Sequence, residues 1–380
     1  MKKSLIILMF FVVFLWRWVG MDSPMPESWI PESKIRFTAT ILERPEYTDS
    51  KTIIRSGIWE IKLKGYAVII PGNRVSFVGR VEPKVLGGKV TKIVMKDPTF
   101  EVVERLPGER MRVTDKLIMV IGEWREKWVS VLEKTLPAPM SSLAAGILLG
   151  VKGQMPYEFY QQLVNTGTLH IVAASGFNVM IVAAVLMTLA KKIFRRGVAI
   201  GVGIGGIVFY VLLAGSSASV VRAGIMGSLT LMAYYFGRPA DAKRLLWVTA
   251  GVILLVNPLM LVDIGFQLSI AATAGLLYIE PWIQNHKSKI LKFSNLGIDS
   301  FLNDYLYPTL AASIATLPII LWHFGRVSWI SPLVNLLVLP VVPLIMLLSA
   351  LTLIGGQMVA WIAYVPLAYL VWVIELFGGI

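Results

Sequence analysis

Residues 191–244 read KKIFRRGVAIGVGIGGIVFYVLLAGSSASVVRAGIMGSLTLMAYYFGRPADAKR, and this stretch decides the class of fold. Two apolar runs, Val198–Ala214 and Ser219–Phe236, stand back to back. Lys191, Lys192, Arg195 and Arg196 precede them, and Arg238, Lys243 and Arg244 follow. A run of about 20 apolar residues is what one helix needs to cross the hydrocarbon of a bilayer. Cations collect on the cytoplasmic side of such helices, so a basic cluster at each end predicts a hairpin that leaves the cytoplasm and returns to it.

Working outward, further apolar stretches lie at Leu143–Val151, Leu169–Ala190, Leu245–Val256, Ile264–Trp282, Tyr305–Trp322, Ile330–Ile354 and Val359–Phe377. A third basic cluster, His286, Lys287, Lys289 and Lys292, follows two crossings after the second, on the same side. Some stretches are short, and Pro318, Pro332, Pro340 and Pro343 interrupt others. Broken helices are tolerated in membranes where the freed backbone groups are buried in protein or line a wet cavity. Residues 140–380 are therefore expected to form an all-α polytopic membrane helix bundle with broken helices. Composition agrees, because 56% hydrophobic and 16% charged residues with a mean hydropathy of +0.70 exclude a soluble domain that must cover itself with polar surface.

A formal net charge of +13 suits basic cytoplasmic loops and equally suits a protein that handles a polyanion. With no cysteine, and only His170, His286 and His323 as histidines, disulfides, thiolate sites and multi-histidine metal centres are excluded. No metal and no cofactor is expected.

The rest of the chain differs in character. Lys2 and Lys3 precede the apolar run Leu5–Val19, which ends at Arg17 and Trp18 without a small-residue cleavage site; residues 1–21 read as a membrane anchor helix with its N-terminus inside. From 31 to 105 the pattern has period two, with Ile35, Phe37, Ala39 and Ile41 alternating against Arg36, Thr38 and Thr40. Further runs at Ile53–Leu63, Tyr66–Ile70, Val75–Val81 and Val90–Met95, separated by turn residues, predict about five strands in a small OB-like β-barrel. Trp59, Arg74, Arg80, Lys89 and Lys92 are its candidates for holding single-stranded nucleic acid, or else form the solvated basic face of a spacer. Over 110–136, Leu117, Ile121, Trp124, Trp128 and Val131 recur at helical spacing, an amphipathic helix that lies on the outer membrane surface or packs on the β domain. The basic clusters put 35–135 outside the membrane and 191–197, 237–244 and 284–300 inside.

Polar side chains inside spans are costly unless paired or wet, which makes them functional candidates. They are Thr166, Thr168, His170, Ser175, Asn178, Arg222, Asp263, Gln267, His323 and Asn335. Arg222 and His170 suit pore contacts or, alternatively, an ion pair or backbone cap, with Asp263 as the carboxylate available to Arg222. Asp263 before an apolar helix also reads as its N-cap, and Asn335 as interhelical glue. The glycines of 201–206 sit inside an apolar span with no preceding strand and read as close helix packing rather than a phosphate loop. Ser175 and His170 are five residues apart, more than a helical turn, which disfavours a nucleophile–base pair; no enzyme activity is expected.

The segment Asn165-Thr166-Gly167-Thr168-Leu169-His170-Ile171-Val172-Ala173-Ala174-Ser175-Gly176-Phe177-Asn178-Val179 resembles the signature of the ComEC competence family. Similar segments follow in family order: Val221-Arg222-Ala223-Gly224-Ile225-Met226, Asn257-Pro258, Asp263-Ile264-Gly265-Phe266-Gln267-Leu268-Ser269, Ala315-Thr316-Leu317-Pro318 and Asn335-Leu336-Leu337-Val338-Leu339-Pro340. The resemblance covers roughly residues 140–350 and implies a multi-pass bacterial inner-membrane channel that passes single-stranded DNA into the cytoplasm during natural transformation. It also implies an OB-like domain outside the cytoplasm. The chain departs from the family at Asn178, where the signature has histidine, which removes a titratable group. Many members degrade the other strand with a metallo-β-lactamase-like domain; residues 1–380 are expected to hold no counterpart of it, and a separate nuclease is expected as a partner. Without a P-loop in the chain, an energy-coupling cytoplasmic partner or a gradient is expected too. A transporter of another polyanion would share the basic and broken-helix features.

Overall fold

The computed structural model describes residues 34–41, 46–48, 51–56, 59–64, 73–86, 89–105, 113–151, 155–172, 175–286, 302–325 and 327–379. The expected anchor at 1–21, the Tyr66–Ile70 run and Lys287, Lys289 and Lys292 lie outside the described residues. The rest forms two compact units, divided between Val129 and Ser130.

The first unit is built on six strands: β1 (Lys34–Thr40), β2 (Glu46–Thr48), β3 (Lys51–Ser56), β4 (Trp59–Lys64), β5 (Asn73–Leu86) and β6 (Lys89–Arg105). Period two holds. Val75, Phe77 and Val81 are buried on β5 while Arg80 and Glu82 are exposed, and Ile61 and Leu63 are buried on β4 while Lys64 is exposed. The Ile53–Leu63 run divides into an antiparallel pair, β3 and β4, with Ser56 opposite Trp59. Bulges between Arg74 and Val75, Val78 and Arg80, and Lys84 and Val85 bend the long β5–β6 ladder. At Gly79 a Cβ would run into Pro98, so this crossing needs glycine. The sheet order is β1-β5-β6-β4-β3-β2, antiparallel except for β4–β6. Among the described residues β1 and β2 are edges and no ladder joins them, so the expected barrel stands here as a sheet. Arg80 is exposed on β5; the backbones of Trp59, Arg74, Lys89 and Lys92 belong to β4, β5 and β6.

Helix α1 (Val113–Thr135) carries the predicted amphipathic segment. Ile121 is buried, as are Leu132 and, just beyond the helix, Leu136, whereas Leu117 and Trp124 are exposed. The buried line thus drifts off the stripe read from the sequence.

The second unit is helical. After α2 (Met140–Leu149), ended by Gly150 in the left-handed conformation, come α3 (Tyr157–Asn165) and α4 (Leu169–Val172). Next are α5 (Gly176–Ile193), α6 (Arg196–Leu213), α7 (Ala218–Tyr235) and α8 (Ala242–Val256). Helix α9 (Ile264–Ala274) continues through a π segment at Gly275–Ile279 into α10 (Glu280–His286). The last are α11 (Tyr307–Phe324), α12 (Ser331–Val338) and α13 (Val342–Gly378), the latter bent at Gly356, whose φ of 56° is outside helical geometry. Helices α5, α6 and α7 pack on one another, α7 on α8 and α9, α9 on α11, and α2 and α3 on α13. Glycines make the seams close: a Cβ at Gly203 or Gly206 would meet Met187 or Leu186 of α5, and one at Gly275 would meet the Ala311 carbonyl of α11.

Among the described residues, four helical segments are long and apolar enough to cross a membrane: Gly176–Ile193, Arg196–Leu213, Asp304–Phe324 and Val342–Gly378. Their outer faces keep large side chains uncovered, with Trp361 72%, Val365 68% and Ile354 89% exposed. Apolar surface on this scale has no place in water. This is a membrane protein. The sequence predicts one span over Leu169–Ala190; the chain instead breaks between α4 and α5, where Ser175 is extended.

Candidate functional site

Two groups of polar side chains lie inside the bundle. The first begins at the break before α5. Asn178, one turn into α5 and 1% exposed, donates Nδ2 to the Ile147 carbonyl on α2 at 2.8 Å. Its Oδ1 accepts from Ser175 Oγ at 3.3 Å. Asn178 thereby ties the break to α2, with both ends of its amide in use. Asn178 is thus a fixed, neutral strut.

Arg222 of α7 is buried against the same break, and a Cβ at Gly176 would strike its Nη2. Glycine there leaves the guanidinium room without a shift. Arg222 Nη1 donates to the Ser269 carbonyl of α9 at 2.9 Å, an oxygen that also accepts from Thr273 Oγ1 at 2.9 Å. Ser269 Oγ donates to Ser219 Oγ, one turn before Arg222, at 3.1 Å. Three helices, α5, α7 and α9, therefore converge on one guanidinium. Its Nε is enclosed and has no acceptor.

Asp263 does not pair with it. That carboxylate caps α9, its Oδ1 accepting from the Phe266 amide at 2.7 Å, which is the N-cap reading. Gln267 donates to the Leu261 carbonyl at 2.8 Å in the same corner. Among the described residues of the bundle, Arg222 is the one buried charged side chain, and it is held by a single neutral acceptor. Burying a cation costs several kcal/mol, roughly, unless an opposite charge and further acceptors offset it. Arg222 therefore carries a charge that its single neutral acceptor only partly offsets.

The second group is the turn between α3 and α4. Thr166 Oγ1 donates to the Gln162 carbonyl at 2.8 Å and lies 2.7 Å from Thr168 Oγ1. Since Thr166 has already used its one proton, Thr168 is the donor between them. Both threonines are fully buried. Gly167, with φ of 71°, sits so close to Ser331 at the start of α12 that no Cβ fits. Asn335, one turn on, donates to Ser331 Oγ at 3.3 Å, while its Oδ1 and the Ser328 hydroxyl are buried without partners. His170 does not join this group: it is exposed, with Nδ1–H donating to the Gly167 carbonyl at 2.9 Å. His323 likewise is exposed and donates to the Ile319 carbonyl at 3.0 Å.

The structure thus brings Ser175, Asn178 and Arg222 together, gathers Thr166, Thr168 and Asn335 about Ser331, and leaves His170, Asp263 and Gln267 with local backbone partners. Sequence reading misses Gly176, Ser219, Ser269, Ser328 and Ser331. Ser219 lies one turn from Arg222, a spacing that signals a shared helix face, but nothing in the sequence marks the Ser269 carbonyl as its acceptor.

Residues 147–380 match the family model described as Competence protein. The chain is 28% identical over 220 residues to ComE operon protein 3 of Bacillus subtilis (strain 168), covering 57% of this chain and 26% of that one. It is 25% identical over 248 residues to Competence protein ComA of Neisseria gonorrhoeae, covering 61% and 34%. It is also 25% identical over 234 residues to Uncharacterized protein YcaI of Escherichia coli (strain K12), covering 58% and 30%. The matches span about a quarter to a third of the length of these relatives. No solved structure matches. The family model takes in more than half of the sequence, including both polar groups, and the chain belongs to the competence protein family.

Proposed function

We propose that this chain forms the path by which single-stranded DNA crosses the inner membrane during natural transformation. Its family and its likeness to Competence protein ComA support a role in DNA uptake. The observation that carries the reading is Arg222, a permanent cation buried among three helices with one backbone acceptor and, among the described residues, no carboxylate partner. A guanidinium so placed offers donors to a phosphate while staying charged at any working pH. A conduit must hold a strand weakly at several places so that it keeps moving. Neutral hydroxyls and amides around one cation suit that better than a deep cage of charges.

In this reading the bundle is a multi-pass inner-membrane domain with the ends at 191–197 and 237–244 in the cytoplasm. The sheet unit lies outside as an OB-like domain. The chain is a conduit and no enzyme: Ser175 Oγ is engaged with Asn178 and His170 with Gly167, so neither serves the other. Strand degradation and energy then come from a separate nuclease and a cytoplasmic coupling partner. The test is deletion of the gene, with transformation frequency and labelled DNA reaching the cytoplasm as readouts. Both should collapse. If both persist while an envelope polymer is lost, the path carries another polyanion.

A further inference from the structure

One end of the bundle carries charge that the DNA path does not use. At the α5–α6 turn, Lys191 Nζ lies 4.9 Å from the centroid of the Tyr234 ring, and the Arg196 guanidinium 4.4 Å from it. Arg196 also donates to the Tyr234 carbonyl. At the start of α8, Lys243 Nζ is 4.9 Å from the Tyr278 ring, whose hydroxyl accepts from Trp247 Nε1 at 3.1 Å. Lys192 at the end of α5, and Arg195 and Arg238 on the turns beside it, are exposed. Residues 191–244 place seven basic side chains at this end against one acid, Asp241, which Arg244 holds at 2.9 Å.

The apolar side chains at the same level are uncovered as well, with Ile193 75%, Phe236 65% and Trp247 56% exposed. Cations and aromatic rings sharing the end of membrane-crossing helices mark the headgroup level. The acyl chains covering the exposed flanks of α5, α6 and α7 must end in headgroups where Lys191 and Arg196 stand. Tyr234 carries two cations, so it is a poor free platform for stacking a base, which weighs against nucleic acid as the occupant.

We propose that Lys191, Arg196 and Tyr234 form a binding site for the phosphate of an anionic glycerophospholipid, with Lys192, Arg195 and Arg238 as its outer charges. The tyrosine holds the two cations in register and the neighbouring apolar side chains take the acyl chains. This site is separate from Arg222 and needs no assumption about DNA.

The full chain, purified in neutral detergent and given equimolar phosphatidylglycerol and phosphatidylcholine, should retain phosphatidylglycerol preferentially in native mass spectrometry. Lys191→Gln with Arg196→Gln should weaken that preference by about fivefold for each charge removed. Lys191→Arg with Arg196→Lys should keep it, and millimolar inorganic phosphate should not displace the lipid, because it lacks the acyl chains. Equal retention of both lipids, or an unchanged preference in the double Gln variant, overturns the site. So does displacement of the lipid by a single-stranded oligonucleotide, which would make this face a nucleic-acid surface. DNA entry is not the readout, so failure here leaves the uptake reading standing and failure of uptake leaves this one.

Discussion

The sheet and the bundle sort their side chains in opposite ways. In the sheet the large apolar residues Phe77, Ile54, Ile61 and Met95 are within 1% of full burial, and exposed positions such as Arg80, Glu82 and Glu101 are charged. In the bundle the large residues Trp361, Val365 and Ile354 face outward, while Gly203, Gly206 and Gly275 make the seams, and Arg222 and Asn178 are inside. Each unit puts on its surface what its solvent accepts, water for one and lipid for the other. The same substitution should therefore have opposite consequences in the two.

The largest effect is expected from Phe77→Ala, which removes a fully buried ring from the sheet. It should cost about 3–5 kcal/mol and expose this unit to limited proteolysis, whereas Ile354→Ala on the bundle flank should leave proteolysis of the bundle unchanged. Comparable cutting in both variants would break the contrast.

Next is charge on the two surfaces. Val365→Arg puts a cation on the outer face near the middle of the last half of α13, at about 2.5–3.5 kcal/mol. The protein recovered from the membrane fraction should fall sharply. Glu101→Lys on the exposed sheet surface should change thermal stability by no more than about 0.5 kcal/mol. If Val365→Arg accumulates normally, that flank faces water.

Inside the bundle, Arg222→Gln tests whether the buried cation is a strut or a contact. Loss of one charge-assisted contact, about 1.5–3 kcal/mol, corresponds to at least roughly a tenfold fall in DNA entry. The amount of protein in the membrane should be unchanged, because the Ser269 carbonyl keeps Thr273 as a donor. Arg222→Lys should restore part of the entry. Disappearance of the protein on Arg222→Gln would make the guanidinium a structural tie.

The smallest effects concern the seams. Gly275→Ala drives a methyl into the Ala311 carbonyl and should lower thermal stability by about 1–3 kcal/mol. Gly201→Ala meets open space and should be neutral or stabilising, by no more than about 1 kcal/mol. Equal losses at both positions would mean that the glycines matter for something other than close approach.

Much of this was legible in the sequence, because it depends on neighbours along the chain. The apolar runs of 198–214 and 219–236 became α6 and α7 with boundaries moved by one or two residues. Asp263 capped the helix it preceded, since an N-cap acts across three residues. The break inside Leu169–Ala190 was hidden, because hydropathy stays high on both sides of Ser175 although Ser175 itself is extended.

What the sequence determined by itself was the solvent of each region, the alternation of strands and the helix ends, all set by periodicity and hydropathy over a few residues. What only the tertiary structure decided were the partners: Asn178 with a carbonyl 31 residues earlier, Arg222 with one 47 residues later, and Gly176 making room for the guanidinium. A backbone carbonyl is the same atom in every residue, so no sequence pattern singles out the acceptor. Only the packing of α2, α5, α7 and α9 brings those groups within reach of one another.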